Sequence, residues 1–535
     1  MPFTDPCLPS QLPACTQVPM VDIATRPAQT RPQASLPVRV LAFLGLSSIA
    51  ALMLAVSFAT SGQSSEGFRI GAAAASVVTL GGAGIIALRR TRSAGEPRTL
   101  RLGICWIGFF LLYYGATSVA WIGGSQSGPS SIVPVESIPG ALAVCFFALA
   151  AWLVGYAIGV PRLVMRGVST TVNWALPFNS TRLRTRNFAL VLYGIGMTSR
   201  VVQILLGSYL YLSDPTAAIS SPSPVTQVLS QGSQLARYGL ILAALDRYVL
   251  TRSFRSTVIF RSLLAVEIAF ALISGVKGEL VFTLIGVAVV AVWGGRRIPR
   301  SAIAGAIAAV LLLLPVNAAY RKIVRFSGAT ITGTAAIQLF PTAVADVATS
   351  GDIPGLVTEE LGRAIGRYRQ IDSVGLIMAK TPSLIPYRSR SDLVLSVAAT
   401  FVPRAVWPGK PVLDTGYAFG REYYLIPEGA VTASAVTLPG DFYRHGGLLP
   451  VVIGFILLGM VCVLVERTML PNRDIRRIVL YLPVCILLLG LEDGAVSLAA
   501  NLAHTFPVLL IVTRLAFADP WAKLGLGSMS SRTMR

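Results

Sequence analysis

The chain has 535 residues, 54% of them hydrophobic and only 13% charged, with a formal net charge of +21 and a mean hydropathy of +0.68. A soluble domain carries roughly 25% charged residues, so a water-soluble fold is excluded, and so much apolar surface needs a bilayer as its solvent. The positive charge does not mark a nucleic-acid binder either, because the arginines stand in short clusters between apolar runs, the pattern of the positive-inside rule.

In chain order, residues 1–36 are rich in Pro, Thr, Gln and Ala and have no apolar core. They read as a disordered cytoplasmic tail rather than a cleavable signal peptide. Runs able to cross about 30 Å of hydrocarbon follow at 40–60, 70–88, 102–122, 138–160, 187–212, 232–251, 257–274, 276–293 and 300–319. Three more come late, at 448–466, 477–491 and 495–516. Arg237 and Asp246 interrupt the sixth run, and the eighth and eleventh are short. The expected fold is an all-α polytopic membrane protein with about twelve transmembrane helices. Spans one to nine fall within 37–319, a large loop occupies 320–446, spans ten to twelve fall within 447–517, and 518–535 form a second cytoplasmic tail.

Loop charges give the orientation. Arg89, Arg90, Arg92, Arg98 and Arg101 follow span two, and Arg162, Arg166, Arg182, Arg184 and Arg186 follow span four. Arg247, Arg252 and Arg255 follow span six, Arg296, Arg297 and Arg300 span eight, and Arg467, Arg473, Arg476 and Arg477 span ten. The alternate short loops are nearly free of Lys and Arg, with Arg69 and Lys277 the exceptions. Both termini are therefore expected in the cytoplasm of a cell whose inner membrane holds the chain, with the large loop outside. That loop, 127 residues with 13 Lys/Arg and 10 Asp/Glu, is too long for a connector. Within it Leu356–Ala379 has helical periodicity and could lie on the membrane surface. Of the six cysteines, Cys7 and Cys15 precede the first span, while Cys105, Cys145, Cys462 and Cys485 lie in apolar runs. Neither a disulfide framework nor a Cys/His metal spacing is expected.

Chemistry-bearing residues concentrate between Arg388 and Gly447. Arg404, Trp407 and Lys410 stand among Pro403, Pro408 and Pro411, where a fixed φ stiffens the backbone. Arg and Lys can take phosphate oxygens, and Trp and Tyr can stack on a sugar ring; the plainer reading makes these cations interfacial snorkelers. Asp441, Tyr443, Arg444 and His445 precede span ten, where a carboxylate or imidazole could accept a proton from a hydroxyl or simply belong to a solvated turn. Lys277 and Glu279 sit where spans seven and eight meet, either pairing with each other or, with Arg321 and Arg325, receiving a lipid diphosphate. Arg200 and Glu267 lie in mid-span, so they must face the bundle interior or a wet cavity, and a mutual pair is one solution. His504, inside span twelve, reads as a packing residue.

One stretch carries a family likeness. Its order is Arg367-Tyr368-Arg369-Gln370-Ile371-Asp372, Thr381-Pro382 and Pro386-Tyr387, followed by the run from Phe401 to Pro411, then Pro439-Gly440-Asp441-Phe442-Tyr443 and Gly446. This resembles the O-antigen polymerase (Wzy-like) family of oligosaccharide repeat-unit polymerases, whose "PR-x-x-W-P-x-K-P" run the residues Pro403 to Pro411 match most specifically. The Ser274–Glu279 turn is similar to that family's Gly-Lys-Gly element. Asp441 stands where the family usually has Glu, and Tyr443-Arg444-His445 differs from its usual aromatic-Gly ending. The resemblance implies a metal-independent membrane glycosyltransferase, with no cofactor, that moves a growing glycan from one polyprenyl diphosphate to the hydroxyl of another lipid-linked repeat unit. It implies Asp441, His445 and Arg404 as catalytic, and Lys277, Arg321, Arg325, Arg367, Arg369, Trp407, Lys410, Arg421 and Tyr443 as substrate-binding. Implied partners are polyprenyl-diphosphate-linked glycans, membrane lipids, and flippase and chain-length regulator proteins, with no nucleic acid. An O-antigen ligase-like enzyme, a polysaccharide flippase or other transporter, and a non-catalytic envelope protein are the competing readings.

Overall fold

The computed structural model describes residues 66–90, 101–123, 128–177, 182–209, 224–326, 331, 333–402, 407, 415–427, 434–472 and 474–518. The expected first span, the tail 1–36 and, Ala518 apart, the tail 518–535 lie outside them. Among the described residues all regular structure is helical and no strand occurs.

The first half of the chain forms α1 (Glu66–Arg90), α2 (Leu102–Phe110), α3 (Ile138–Ile158), α4 (Arg162–Ala175), α5 (Arg182–Leu205), α6 (Pro224–Leu245), α7 (Phe254–Ile273), α8 (Lys277–Trp293) and α9 (Arg300–Phe326). A π turn (Leu111–Gly115) and a 3-10 run (Ala116–Gly123) prolong α2. Short helices follow: α10 (Gly333–Gln338), α11 (Phe340–Thr349), α12 (Ile353–Tyr368), α13 (Ile371–Lys380), α14 (Arg390–Thr400), α15 (Thr415–Tyr424) and α16 (Leu438–Arg444). The chain then returns to α17 (Leu448–Met469), α18 (Ile478–Leu488) and α19 (Ala495–Phe517).

Eight helical stretches among the described residues are long and apolar enough to cross a membrane, pointing to a multi-pass membrane protein. They are α1, the prolonged α2, α3 with its lead-in, α5, α7, α9, α17 and α19. Large apolar side chains such as Val191, Ile195, Ile453, Leu457 and Ile511 stand exposed on them, as lipid-facing side chains would. Three other expected spans are helical without meeting that measure. α6 carries Arg237 inside it. α8 has 17 residues. α18 has 11, a rise of about 17 Å. The helical stretch expected over Leu356–Ala379 is divided between α12 and α13, with Arg369 and Gln370 at the break.

α3 and α17 make the central contact. A side chain at Gly155 would overlap the Ile456 carbonyl oxygen, and one at Gly459 would overlap that of Trp152. The two backbones therefore lie against each other, the small-residue packing that membrane helices favour. Beside this crossing Trp106 of α2 stacks on Trp152 with ring centroids 4.4 Å apart, and Phe455 meets Trp106 edge-on. All three rings are fully buried.

Buried charges tie further helices together. Arg200 on α5 and Glu267 on α7 form a two-pronged pair, both bonds 2.7 Å long and both side chains buried. The mutual partner that mid-span charges require is thus supplied across two helices. Glu279 at the head of α8 pairs with Arg237 of α6; the side chain of Lys277, its other expected partner, lies outside the described residues. At the start of α2, Arg101 and the Gly103 N–H both bond Glu466 of α17, the latter at 3.1 Å.

The α3–α17 crossing yields a test. Gly459→Leu should cost more than about 3 kcal/mol, because backbone must move to admit the side chain. Gly108→Ala, whose added carbon meets nothing within 4 Å, should be neutral. Size-exclusion profiles of detergent-extracted protein would read both: equal monodisperse yields would refute the close crossing.

Candidate functional site

The helix α16 is short because its ends are set locally. Thr437, held at φ 66°, accepts from the Gly440 N–H at 3.3 Å, and Pro439 follows at the second helical position. Two backbone bonds fix this entry to the turn ahead of α19: the Thr437 N–H donates to the Glu492 carbonyl and the Leu438 N–H to that of Leu491, both at 3.2 Å. The Tyr114 hydroxyl donates to the same Leu491 carbonyl at 3.1 Å.

This places Asp441 at full burial. Its Oδ1 accepts from Arg444 Nε at 2.8 Å and lies 2.7 Å from Arg444 Nη2. Its Oδ2 accepts from the Ala495 N–H at 2.7 Å, where the dipole of α19 also favours negative charge. Both oxygens therefore have hydrogen-bond partners in this geometry.

His445 follows directly. Its Nδ1 sits 2.7 Å from the Asp441 carbonyl oxygen, which acts as acceptor if Nδ1 carries the proton. That tautomer leaves the lone pair on Nε2. Burial lowers the imidazole's basicity below the ordinary 6.5; the nearby Arg444 and Arg388 act in the same direction, and contacts with Asp441 oppose them. A neutral imidazole at neutral pH is the form able to accept a proton.

Arg444 is itself only 2% exposed, and among the described residues its Nη1 has no hydrogen-bond partner. A buried guanidinium donor left over is costly, and an anion would satisfy it. Around it, Arg388 donates its backbone N–H to the Arg444 carbonyl at 2.8 Å and pairs with Glu422 at 2.5 Å. Arg390 Nη2 approaches the Gly446 carbonyl at 3.5 Å. The rings of Tyr387 and Tyr443 lie 6.2 Å apart, and burial, with Tyr387 adding to it, raises the Tyr443 phenol to about 12.

The other expected residues are dispersed. Arg369 turns to Asp372 at 2.9 Å and to Ser130 at 2.7 Å, with Trp121 donating to Asp372 at 2.8 Å. It thereby locks α13 to the end of the prolonged α2. Arg367 is exposed at the end of α12, Arg421 is half-buried on α15, Arg321 is half-buried on α9, and Trp407 is exposed. Arg404 and Lys410 lie outside the described residues, and so does the Arg325 side chain. Asp441, Tyr443 and His445 are thus brought together, joined by Arg388, Arg390, Glu422 and Arg444, which were not among the expected site residues. Arg388 and Arg390 were visible as a basic pair in the densest segment. Glu492 and Asp493 were also overlooked, although two adjacent carboxylates between apolar spans are a legible signal. Burial, with Glu492 beside it, pushes the Asp493 carboxyl up to about 6. No group of metal-ligating side chains occurs among the described residues.

Residues 191–469, just over half of the chain, match the family described as Domain of unknown function (DUF8712). The chain belongs to this family. The family segment contains the buried pair Arg200–Glu267, the half-buried pair Arg237–Glu279 and the whole Asp441–His445 turn, but not α19, whose first N–H holds Asp441. No curated protein and no solved structure matches the chain.

Removing one partner of the buried pair should show its weight. Asp441→Ala leaves Arg444 buried and unpaired, at a cost of about 3–5 kcal/mol. Arg363→Ala breaks a pair whose arginine is 64% exposed and should change stability by less than about 0.5 kcal/mol. Thermal unfolding in detergent compares the two, and a similar small shift for both would contradict the clasp.

Proposed function

We propose that the protein is a polymerase joining polyprenyl-diphosphate-linked oligosaccharide repeat units on the outer face of the cytoplasmic membrane. One observation carries this reading: the buried Arg444 guanidinium keeps an uncommitted donor next to His445, an imidazole of lowered basicity. In the proposed reaction, the acceptor hydroxyl gives its proton to His445 Nε2, and its oxygen forms a bond to the donor sugar's anomeric carbon. The bond from that carbon to the diphosphate oxygen breaks, and the departing charge is met by Arg444 Nη1, with Arg388 and Arg390 nearby. Asp441 orients both Arg444 and His445. The run from Pro403 to Pro411 supports the same reading through its likeness to the O-antigen polymerases, and Arg404, Trp407 and Lys410 belong to the proposal as substrate contacts.

The topology proposed with it has about twelve spans, both termini in the cytoplasm, and the segment between α9 and α17 outside. The arginine clusters after alternate spans support that orientation. The transporter reading drew on Arg200 and Glu267, and these two charges satisfy each other. A ligase would use the same donor with another acceptor.

Sizing lipid-linked glycans from a deletion strain separates the readings. The expected outcome is single repeat units, exported and lipid-linked but not joined; long carrier-linked chains would mean a ligase, and units trapped on the inner leaflet a flippase. Purified protein given single units and a chelator, without nucleotide sugar, should lengthen them.

The pH profile offers a second test. A base with lowered basicity is neutral above its shifted value and protonated below it, so polymerisation should fall only as pH drops below 6.5. Asp493, at about 6, titrates near the same window. Asp493→Asn should therefore keep the acid limb, while His445→Gln should lower the rate about 100-fold or more and abolish the limb. A limb that survives in His445→Gln would remove the imidazole from the mechanism.

A further inference from the structure

α19 turns polar residues outward in the middle of a membrane-crossing helix. It packs against α4, α5, α14, α16 and α18, yet only 28% of its apolar stretch is buried. Ser497, Asn501, His504, Ile511 and Leu515 recur at helical spacing and share one face. On that face Asn501 is exposed, and His504, expected as a packing residue, is exposed with it. Ile511 and Leu515 are 55% and 47% exposed. At 1.5 Å per residue, His504 lies about 3 Å and Asn501 about 8 Å from the middle of the helix. Both therefore fall inside a hydrocarbon layer about 30 Å thick.

Lipid tails offer nothing to a carboxamide or an imidazole, whereas a neighbouring helix can hydrogen-bond them. The chemistry of the stripe also says which helix. It carries no charge, and Arg514 near its end is turned to α4, donating to the Trp174 carbonyl at 2.6 Å and stacking on that ring. No oppositely charged partner is called for. A carboxamide is donor and acceptor at once, and so is a neutral imidazole, so a surface made of them complements itself. Copies of one chain inserted in one membrane share orientation and depth. Across a two-fold axis along the membrane normal, each residue of the stripe therefore meets its own counterpart at the same height. Ser497 and Ala500 are small enough to let two backbones approach beside Asn501, and Ile511 and Leu515 add apolar contact along the rest of the face. We infer that the protein forms a parallel homodimer through α19, in which the Asn501 carboxamides of the two copies each donate an N–H to the other's carbonyl oxygen. The pairing sets the two α19 N-termini, each bonded to an Asp441, at the same end of the interface. It holds whether or not the protein joins glycans.

The test uses the full-length protein, fluorescently labelled and reconstituted in vesicles of phosphatidylethanolamine and phosphatidylglycerol. Single-molecule photobleaching over a series of protein-to-lipid ratios should show two-step bleaching rising to a dimer plateau. Asn501→Leu, which suits a lipid-facing helix, should raise the dissociation constant about threefold to tenfold. Asn501→Gln keeps a donor and an acceptor and should retain most of the association. Oxidation in the same vesicles should cross-link Asn501→Cys into dimers beyond the wild-type level. Ile453→Cys, at a 50% exposed position on α17, should stay at that level. The cysteine pair decides the matter if Asn501→Leu fails to fold. Protein that remains monomeric at every density overturns the inference, whether lipid or a different protein covers the stripe in the cell. A dimer that Asn501→Leu leaves at full strength, or equal cross-linking from both cysteine positions, overturns it too, because the contact would then lie on another face.

Discussion

One oxygen of a buried carboxylate ties the segment between α9 and α17 to the start of α19, and the other holds an arginine of its own helix. Asp441 receives Arg444 from its own helix and the first N–H of α19 from the far end of the chain. Asp441 and Arg444 are both buried, so breaking either contact leaves a buried group without its partner. Much else follows from that anchoring. Arg444 is kept inside with a donor to spare, His445 is held by the Asp441 carbonyl, and Arg388 is drawn in through the Arg444 carbonyl. A second clasp of the same kind, Arg369 on Asp372 with Ser130 and Trp121, fixes α13. These two turns are the firm points of the segment, and α13 and α16 pack against each other between them.

The membrane-spanning helices obey a different economy. Between α3 and α17 there is little hydrophobic drive, since lipid is as apolar as the helices, so close approach at Gly155 and Gly459 and the stacked Trp106 and Trp152 provide the contact. Where charges enter the bundle, they come as matched partners on neighbouring helices, Arg200 with Glu267 and Arg237 with Glu279. The Arg200 pair engages both ends of its carboxylate, which lowers the cost of burial and fixes the rotation of α5 against α7. Such pairs read as architecture, whereas the Nη1 donor of Arg444 has no hydrogen-bond partner among the described residues.

What the amino-acid sequence determined by itself is the class of the protein and the course of its spans, because hydrocarbon selects residues locally: an apolar run must be long enough, and every run can be read without knowing its neighbours. It also determined that Arg200 and Glu267 needed partners, since a charge in mid-span is costly wherever it lies. Partner identity was beyond its reach. Glu279 stands two residues from Lys277 yet pairs with Arg237, 42 positions away, and Asp441 takes an N–H from a residue 54 positions on. Residue type made Asp441 a candidate base, and only the tertiary structure showed both of its oxygens engaged, moving that role to His445 in the reading proposed here. Lengths of 17 and 11 residues for α8 and α18 were likewise decided by where the folded chain turns. The reason is the same in each case. Hydropathy is a property of a segment, while an ion pair or a capped carboxylate is a property of a distance, and distances between remote residues exist only once the helices have packed.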